Sequence, residues 1–564
     1  MIPALVRRLF SSGNKHPIQA TKPVQALDAL ALVAPASDLL RQGRPDDAIT
    51  ALESLLQQYH DLAEAHLLMG TILHGRQQFE DAQDSYALAQ CFKPDSWAAY
   101  FQIGLLALDR GQPSEGAAAL SKALELGAED ARVHSALGRA YLEKGQLHDA
   151  IKQFQEAISL QPSFVEAHSN LGYALFHHME EFEAGAKHIQ HALQLDPSSI
   201  AAQCNLCMLL QHQGRVDEAL ALCNELLLRQ PDLHEAHVNR ASILLSKGEF
   251  AAGWRDYEAR RKWPSYFQSE LLPWPQWDGS SLAGRRIFVY AEQGLGDEIM
   301  FSSCVPQLLT SARSCVLECH PKLVPIFRRS FPTVTVVRKA EWQEADLRAD
   351  PPDCKVALGS LPRFMRNASD EFPDHRGYLQ ANVHRVQYWR RQLDALPGRL
   401  KVGISWRGGA ATTRRSVRSI LLCLWAPILR VPNVDFINLQ YSDCAQELAD
   451  LREDGGVELH RWPSAINDYD ETAALVSALD LVISVQTAIV HLTGALGKPV
   501  WALIPSVPEW RYGAAGPVMP WYPTARLFRQ SVRGAWEPLI TAVRDELDAL
   551  ARQTVALNRS AIER

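Results

Sequence analysis

ARVHSALGRAYLEKGQLHDAIKQFQEAISLQPSF, residues 131–164, decides the reading of the first half of the chain. It carries small residues at Gly138, Ala150 and Ala157 and large ones at Leu137, Tyr141 and Phe154, with Pro162 near its end. Small residues let two helices approach closely, and the large ones fill the groove between neighbouring pairs. The same pattern recurs outward from this stretch. Gly70, Gly104, Gly138 and Gly172 lie 34 residues apart, as do Ala48 and Ala82, and Pro197 and Pro231.

A period of 34 residues is the signature of tetratricopeptide repeats, each a pair of antiparallel helices. Seven repeats are expected to begin at Ala29, Ala63, Trp97, Ala131, Val165, Ile200 and His234. The fifth holds one extra residue near HHMEEFEAG, and the first is degenerate in its first helix, as terminal caps often are. The seventh ends in GEFAAGWRDYEARRKW and is expected to cap the array on the side of the second half. Such arrays present a concave face to a peptide or protein. Asn170, Asn205 and Asn239 share one position in three consecutive repeats, and a side-chain amide both donates and accepts, so it can grip a peptide backbone of any sequence. They are the candidate acceptor-binding residues, although asparagine is also usual there. Earlier repeats carry Leu68, Gln102 and Ala136 instead. His66, His134, His168 and His237 share another position and read as packing residues.

After Arg261 the period changes. KWPSYFQSELLPWPQWDGSSLAGRR reads as a connector. Beyond it RIFVYA, CVLECH, VTVVR and CKVAL, then KVGISW, VDFINLQ, VELHRW, LVISV and PVWALI, read as strands alternating with helical stretches. That alternation predicts two parallel sheets with right-handed crossovers, parting near RGYLQANVHRVQYWRRQL, with ligands at the carboxyl ends of the strands. In EQGLGDEIMF, residues 292–301, Gly294 and Gly296 fit a tight turn after the first strand and the close approach of a ligand.

The stretches RIFVYAEQGLGDEIMF, LVISVQTAIVHLTGALGKPVWALIP and PEWRYG resemble the bacterial heptosyltransferase-like glycosyltransferases of the GT-B fold. In particular they resemble the branch fused to tetratricopeptide repeats, some of whose members glycosylate flagellin with a nonulosonic sugar such as pseudaminic acid. The fold class that follows is an α-helical tetratricopeptide-repeat superhelix and then an α/β GT-B fold of two Rossmann-like lobes. The expected organisation is an N-terminal extension at 1–28, repeats at 29–265, a linker at 266–283, an acceptor-side lobe at 284–390, a donor-side lobe at 391–552 and a tail at 553–564.

The resemblance implies a set of site residues. Asp297 corresponds to the family's proposed general base, which takes the acceptor's proton as the anomeric carbon is attacked. Its structural alternative is a helix cap, and Glu292 is the second carboxylate on the turn. The donor's phosphate and sugar would sit against the helix that follows Gln486, Thr487 and Ala488, with His491 one turn on. Gln486 stands where aspartate is common in the family. Ser405 and Arg407 of SWRGG match a phosphate-side loop. Gln440 and Tyr441 end the next strand, where a base or ribose sits, and Glu509 and Arg511 lie in the loop after the last expected strand. DYD, Asp468 to Asp470, mimics a metal-binding motif, but Asp470 reads as a cap of the next helix. No metal or cofactor is expected, the nucleotide sugar being a substrate.

Composition fits this reading. Apolar residues make up 47% and charged residues 21%, enough for a large core, and a net charge of -7 without a basic block argues against a nucleic-acid binder. No apolar run is long enough to span a membrane, and the N-terminal apolar stretch is too short for a secretory signal, so a cytoplasmic protein is expected. Cys204 and Cys207 lack the further ligands of a zinc site and read as packing cysteines. The expected activity is transfer of a sugar to Ser or Thr of a protein acceptor recruited by the repeats, with flagellin a candidate. Two alternatives stay open: a repeat scaffold with an inactive glycosyltransferase-like half, and a glycan or lipopolysaccharide glycosyltransferase.

Overall fold

The computed structural model describes residues 26–179, 181–263, 272–339, 341–343, 347–409, 415, 417–455 and 458–562. Most of the expected N-terminal extension, the first part of the connector and the last two residues of the tail lie outside these. The described chain forms two compact units. The first runs to Phe176 and resumes over Glu181–Ala202, and the second comprises His177–Glu180 and Gln203–Arg564. The division falls within the repeats, so the seventh repeat and most of the sixth belong to the same unit as the α/β region.

The repeats are helix pairs, and first helices begin at Ala63, Trp97, Ala131, Val165, Ile200 and His234, as the period predicts. The physical basis of the period is visible at its glycines. A Cβ on Gly70, Gly104, Gly138 or Gly172 would lie 2.6–2.7 Å from Tyr86, Leu120, Phe154 or Ile189 of the paired helix. Each glycine is thus the socket for one large side chain. The extra residue of the fifth repeat is accommodated as a π-helical turn, Ala174–His178, which widens the helix locally without breaking it. The histidines at the shared position pack as expected. His66, His168 and His237 each place Nε2 2.8–3.0 Å from the carbonyl six residues earlier, and His134 Nδ1 lies 2.8 Å from Gln153 Oε1 on the paired helix. Cys204 and Cys207 are buried.

The second unit carries two all-parallel sheets. In the N-terminal sheet, β1 (Arg286–Tyr290), β2 (Ser314–Cys319), β3 (Thr335–Arg338) and β4 (Cys354–Ala357) are ordered β3-β2-β1-β4. In the C-terminal sheet, β5 (Leu400–Ser405), β6 (Val434–Asn438), β7 (Leu481–Val485), β8 (Val500–Ile504) and β9 (Ala525–Arg529) are ordered β6-β5-β7-β8-β9. The strands β1, β5 and β7 are buried along their whole length, as parallel strands covered on both faces must be.

Two expectations change. VELHRW, whose Val457 lies outside the described residues, forms no strand among the rest: of these only His460 bridges, to Ile437, and Pro463, which has no N–H, opens the next helix. The ninth strand, ARLFR, escapes a reading based on apolar runs because Arg526 and Arg529 leave no more than two apolar residues together. It is an edge strand, and Arg526 reaches Glu546 of the final helix at 2.8 and 3.0 Å. Among the described residues no helix is long and apolar enough to cross a membrane.

The last repeat is built into the core of the α/β region. Trp254 is 1% exposed. Its ring meets Trp510, Trp521 and Phe301 edge-on at 5.4, 6.2 and 6.4 Å, and its Nε1 donates to Arg366 O at 2.7 Å.

Candidate active site

The strand order fixes where a site can form. β1 lies between β2 and β4, and β5 between β6 and β7, so in each sheet the connections diverge beside one strand and leave a crevice at its carboxyl end. The loops after β1 and β4 and after β5 and β7 carry most of the candidate residues.

After β1 the chain turns through Glu292, Gln293 and Gly294 into the helix Leu295–Phe301, whose N-cap is Gly294. Asp297 therefore stands inside the first turn and is not the cap. Its Oδ1 lies 2.7 Å from Arg511 Nη2 in an ion pair, and Arg511 Nε makes no hydrogen bond among the described residues. Burial opposes the charge of Arg511, but the carboxylates of Asp297 and Glu509 outweigh it and raise the guanidinium's pKa. Glu509 lies 3.9 Å from Arg511 Nη1 and 3.9 Å from Arg418 Nη1.

Neither Gly294 nor Gly296 adopts a positive φ. What Gly296 provides is proximity: a Cβ there would lie 3.0 Å from His491 Cδ2 and 3.4 Å from Ala488 Cα. The glycine admits the helix that follows β7 to the turn that follows β1, rather than permitting a strained turn. Glu292 is placed differently from Asp297. Its side chain is 2% exposed, and its Oε1 accepts from Arg260 Nη2 at 2.6 Å and from Gly359 N at 3.0 Å.

The helix Ala488–Ala495 is capped by Thr487, whose hydroxyl accepts from Ile489 N at 3.1 Å and lies 3.1 Å from Ser484 Oγ. His491 is buried and its pKa is well below the ordinary value, first through burial and then through Arg511 and Arg418. Its Nδ1 lies 3.1 Å from Tyr522 Oη. Gln486 is 2% exposed, and neither its Oε1 nor its Nε2 has a hydrogen-bond partner among the described residues.

Residues of the SWRGG loop approach the same turn. A Cβ on Gly408 would lie 2.7 Å from Gln486 O and 3.2 Å from Thr487 Cγ2. Gln440 holds this loop: its Oε1 accepts from Ser405 Oγ, Trp406 N and Arg407 N at 3.3, 3.2 and 3.0 Å, and its Nε2 donates to Arg407 O and Ser442 Oγ at 3.2 and 3.0 Å. Arg407 pairs with Glu447 at 2.9 Å. Tyr441 is 56% exposed, with its hydroxyl 3.4 Å from Gly409 O. Asp297, Arg511, Glu509, Gln486, Thr487, Ala488 and His491 thus gather where the two sheets' loops meet, while Ser405, Arg407 and Gln440 shape the adjoining loop.

Other motif residues are engaged elsewhere. Asp468, not Asp470, caps the helix Tyr469–Ala478. Asp470 grips Arg329 through both oxygens at 2.9 and 2.7 Å. Asn170 lies in the first unit and Asn205 and Asn239 in the second, all half-buried. Asn239 Nδ2 donates to Cys204 O at 3.2 Å. Sequence reasoning missed Arg260, Tyr257, Arg418 and Gln293, since no motif marks them. It also missed Glu298, a buried carboxyl next to Asp297.

A carboxylate paired with an arginine, arginines on either side of a glutamate and a capped helix N-terminus together can accept a proton from a hydroxyl and hold an anionic group.

Comparison with known proteins identifies the repeats. Tetratricopeptide-repeat family models match residues 34–96, 67–131, 101–147, 138–178 and 176–242. Over 143 residues the chain is 27% identical to the mitochondrial import receptor subunit TOM70 of Mus musculus, covering 25% of this chain and 23% of that one. Solved structures similar to it include MamA from Desulfovibrio magneticus RS-1, with 22% identity over 31% of this chain and 99% of that one and a TM-score of 0.28. PilW, a type IV pilus biogenesis factor, matches with 18% identity over 38% of this chain and 98% of that one and a TM-score of 0.34. The repeats support a protein-binding role. One relative spans both halves: protein FlbA of Caulobacter vibrioides is 30% identical over 491 residues, covering 83% of this chain and 76% of that one. The chain belongs to the family of this FlbA protein.

Proposed function

We propose that the α/β region is a GT-B glycosyltransferase, resembling the heptosyltransferases, that transfers a sugar from a nucleotide donor to Ser or Thr of a protein held by the repeats. A nonulosonic acid is the candidate sugar and flagellin the candidate acceptor, both through the family resemblance. The observation that carries the reading is the group of buried polar atoms without a hydrogen bond among the described residues on the turns that meet, Arg511 Nε and both amide atoms of Gln486, beside the Asp297–Arg511 ion pair. Buried polar groups are nearly always bonded, so several left open at one crevice mark a place for a polar ligand. In this reading Asp297 takes the acceptor proton. The helix N-terminus at Thr487, with Arg511 and Arg418, stabilises the charge on the leaving nucleotide.

The test is the intact mass of flagellin after incubation with the full-length protein and a nucleotide-activated nonulosonic acid. Wild type is expected to add the sugar mass, and Asp297→Asn to transfer about 10²–10⁴-fold more slowly while still binding the nucleotide. A second reading draws on the ion pairs of the two candidate bases, Asp297 with Arg511 and Glu292 with Arg260: a repeat scaffold that binds its partner without transfer. Capture of flagellin with no added mass would select it.

A further inference from the structure

The seventh repeat ends in a turn of 3-10 helix, Glu258–Lys262, and Arg260 on it is 1% exposed. Its guanidinium reaches away from the repeat. Nη2 donates to Glu292 Oε1 at 2.6 Å and to Ser360 Oγ at 3.0 Å. Nη1 donates to Tyr257 O at 2.9 Å and Glu258 Oε1 at 3.2 Å. The cation also lies 4.2 Å from the centre of the Tyr257 ring, a distance at which the ring face attracts it. Tyr257 completes the contact: its hydroxyl lies 3.0 Å from Gln293 Oε1 and 2.8 Å from Gln293 Nε2.

Glu292 and Gln293 are the residues that lead from β1 to the turn bearing Asp297. Both of their side chains are bound from the repeat. The site is shaped for this. Gly359, after β4, donates its N–H to Glu292, and a Cβ on it would fall 2.4 Å from Glu292 Oε1. A buried carboxylate needs a partner of opposite charge with further hydrogen bonds, and Arg260 supplies both.

From this we infer that Arg260 and Tyr257 are positioning residues of the active site: the end of the repeat array sets the turn from which Asp297 is presented. Glu292 is the link in this arrangement rather than a second base. The inference rests on the proposed transfer reaction, with Asp297 as its base. Loosening the turn shifts the carboxylate from the acceptor hydroxyl, and a misplacement near 1 Å costs up to about 10²-fold in rate. The Tyr257 ring, which also meets Trp510 beside Arg511 at 5.6 Å, is kept in the variants below, so nucleotide affinity stays the same.

Tyr257→Phe and Arg260→Lys in the full-length protein test it. The first removes one hydroxyl from a packed ring, and the second keeps the charge but loses the two-pronged geometry. The single-turnover transfer rate at saturating donor is expected to fall about tenfold in Tyr257→Phe and up to about 10²-fold in Arg260→Lys. Affinity for the free nucleotide product should be unchanged, and amide hydrogen exchange over residues 293–301 should quicken. Unchanged exchange there in both variants would overturn the positioning role. So would a rate loss matched by an equal loss of nucleotide affinity. Wild-type protein that transfers no sugar would remove the reaction itself, and the exchange measurement would still decide whether the repeat sets the turn.

Discussion

The two turns that meet at the site are held by different means. The turn after β1 is charged and depends on distant partners: Glu292 on Arg260 of the last repeat, and Asp297 on Arg511 of the C-terminal sheet. The turn after β7 is neutral and organised locally, with Ser484 bonded to Thr487 and Thr487 capping its own helix. One conspicuous group, the Gln486 amide, is buried with no hydrogen-bond partner among the described residues. The first turn therefore has its geometry only when the rest of the second unit is present. The second has its geometry by itself and lacks only a ligand. A transferase needs both kinds of turn, one that places a base accurately and one that is ready to receive a donor.

Cutting the chain between the repeats and the α/β region should break the first turn outright. A fragment of residues 270–564 loses Trp254 from the aromatic cluster and Arg260 from Glu292. Removing a large buried aromatic side chain costs about 3–5 kcal/mol. Leaving a buried charge unpaired costs about 3–5 kcal/mol more. Together these approach the whole stability of a typical domain, about 5–15 kcal/mol. The fragment is expected to lose cooperative thermal unfolding by circular dichroism, whereas residues 203–564 keep it. Equal melting of the two fragments would mean that the first turn is as self-sufficient as the second.

The second turn is probed by Gln486→Leu, which replaces an unbonded amide by an apolar group of similar size. Removing a buried polar group that has no partner should stabilise the free protein by about 1–2 kcal/mol. Loss of the same group should weaken nucleotide-sugar binding about tenfold, or about 1.4 kcal/mol. Stability and affinity moving in opposite directions is the signature of a group kept for a ligand. A variant that binds the donor as tightly as wild type would show that Gln486 faces something else.

The same contrast governs how much of the molecule is legible in its sequence. The repeats announce themselves because each glycine has a fixed partner one helix away, Gly70 with Tyr86 or Gly138 with Phe154, so the period carries the packing. Even the extra residue of the fifth repeat is visible, although not that a π turn would hold it. Buried parallel strands are legible as apolar runs. The edge strand Ala525–Arg529 is not, nor is the failure of the described residues 458–462 to pair beyond His460. At the site, motif residues on one turn can be found because they are close in sequence. Pairs such as Arg260 with Glu292, or Asp297 with Arg511, join residues that no spacing relates. The role of Gly296 was hidden for the same reason: its reason for being small is His491, on the other sheet's helix.

Glu298 offers the mildest probe of the first turn. It follows Asp297 in the helix, is 2% exposed, and accepts from His320 N at 2.8 Å. Burial pushes its carboxyl up to about 7 from 4.5, with Glu318 and Asp297 adding to the rise against the His320 N–H and Lys339. Between these values the folded protein binds a proton that the unfolded chain has released. Stability therefore falls as pH rises from 4.5 towards 7 and is level above that, the reverse of the usual ion-paired carboxylate. At one pKa unit to about 1.4 kcal/mol, the full span is worth up to about 3.5 kcal/mol. Glu298→Gln keeps an acceptor for the His320 N–H and removes the titration. The variant should melt close to wild type at pH 4.5 and progressively higher than wild type up to pH 7, with a constant gap at pH 8. The comparison is made by thermal melts of the full-length proteins across that range. A gap that does not change with pH would mean that Glu298 titrates alike in the folded and unfolded chains, and that the first turn tolerates charge beyond the carboxylates its arginines hold.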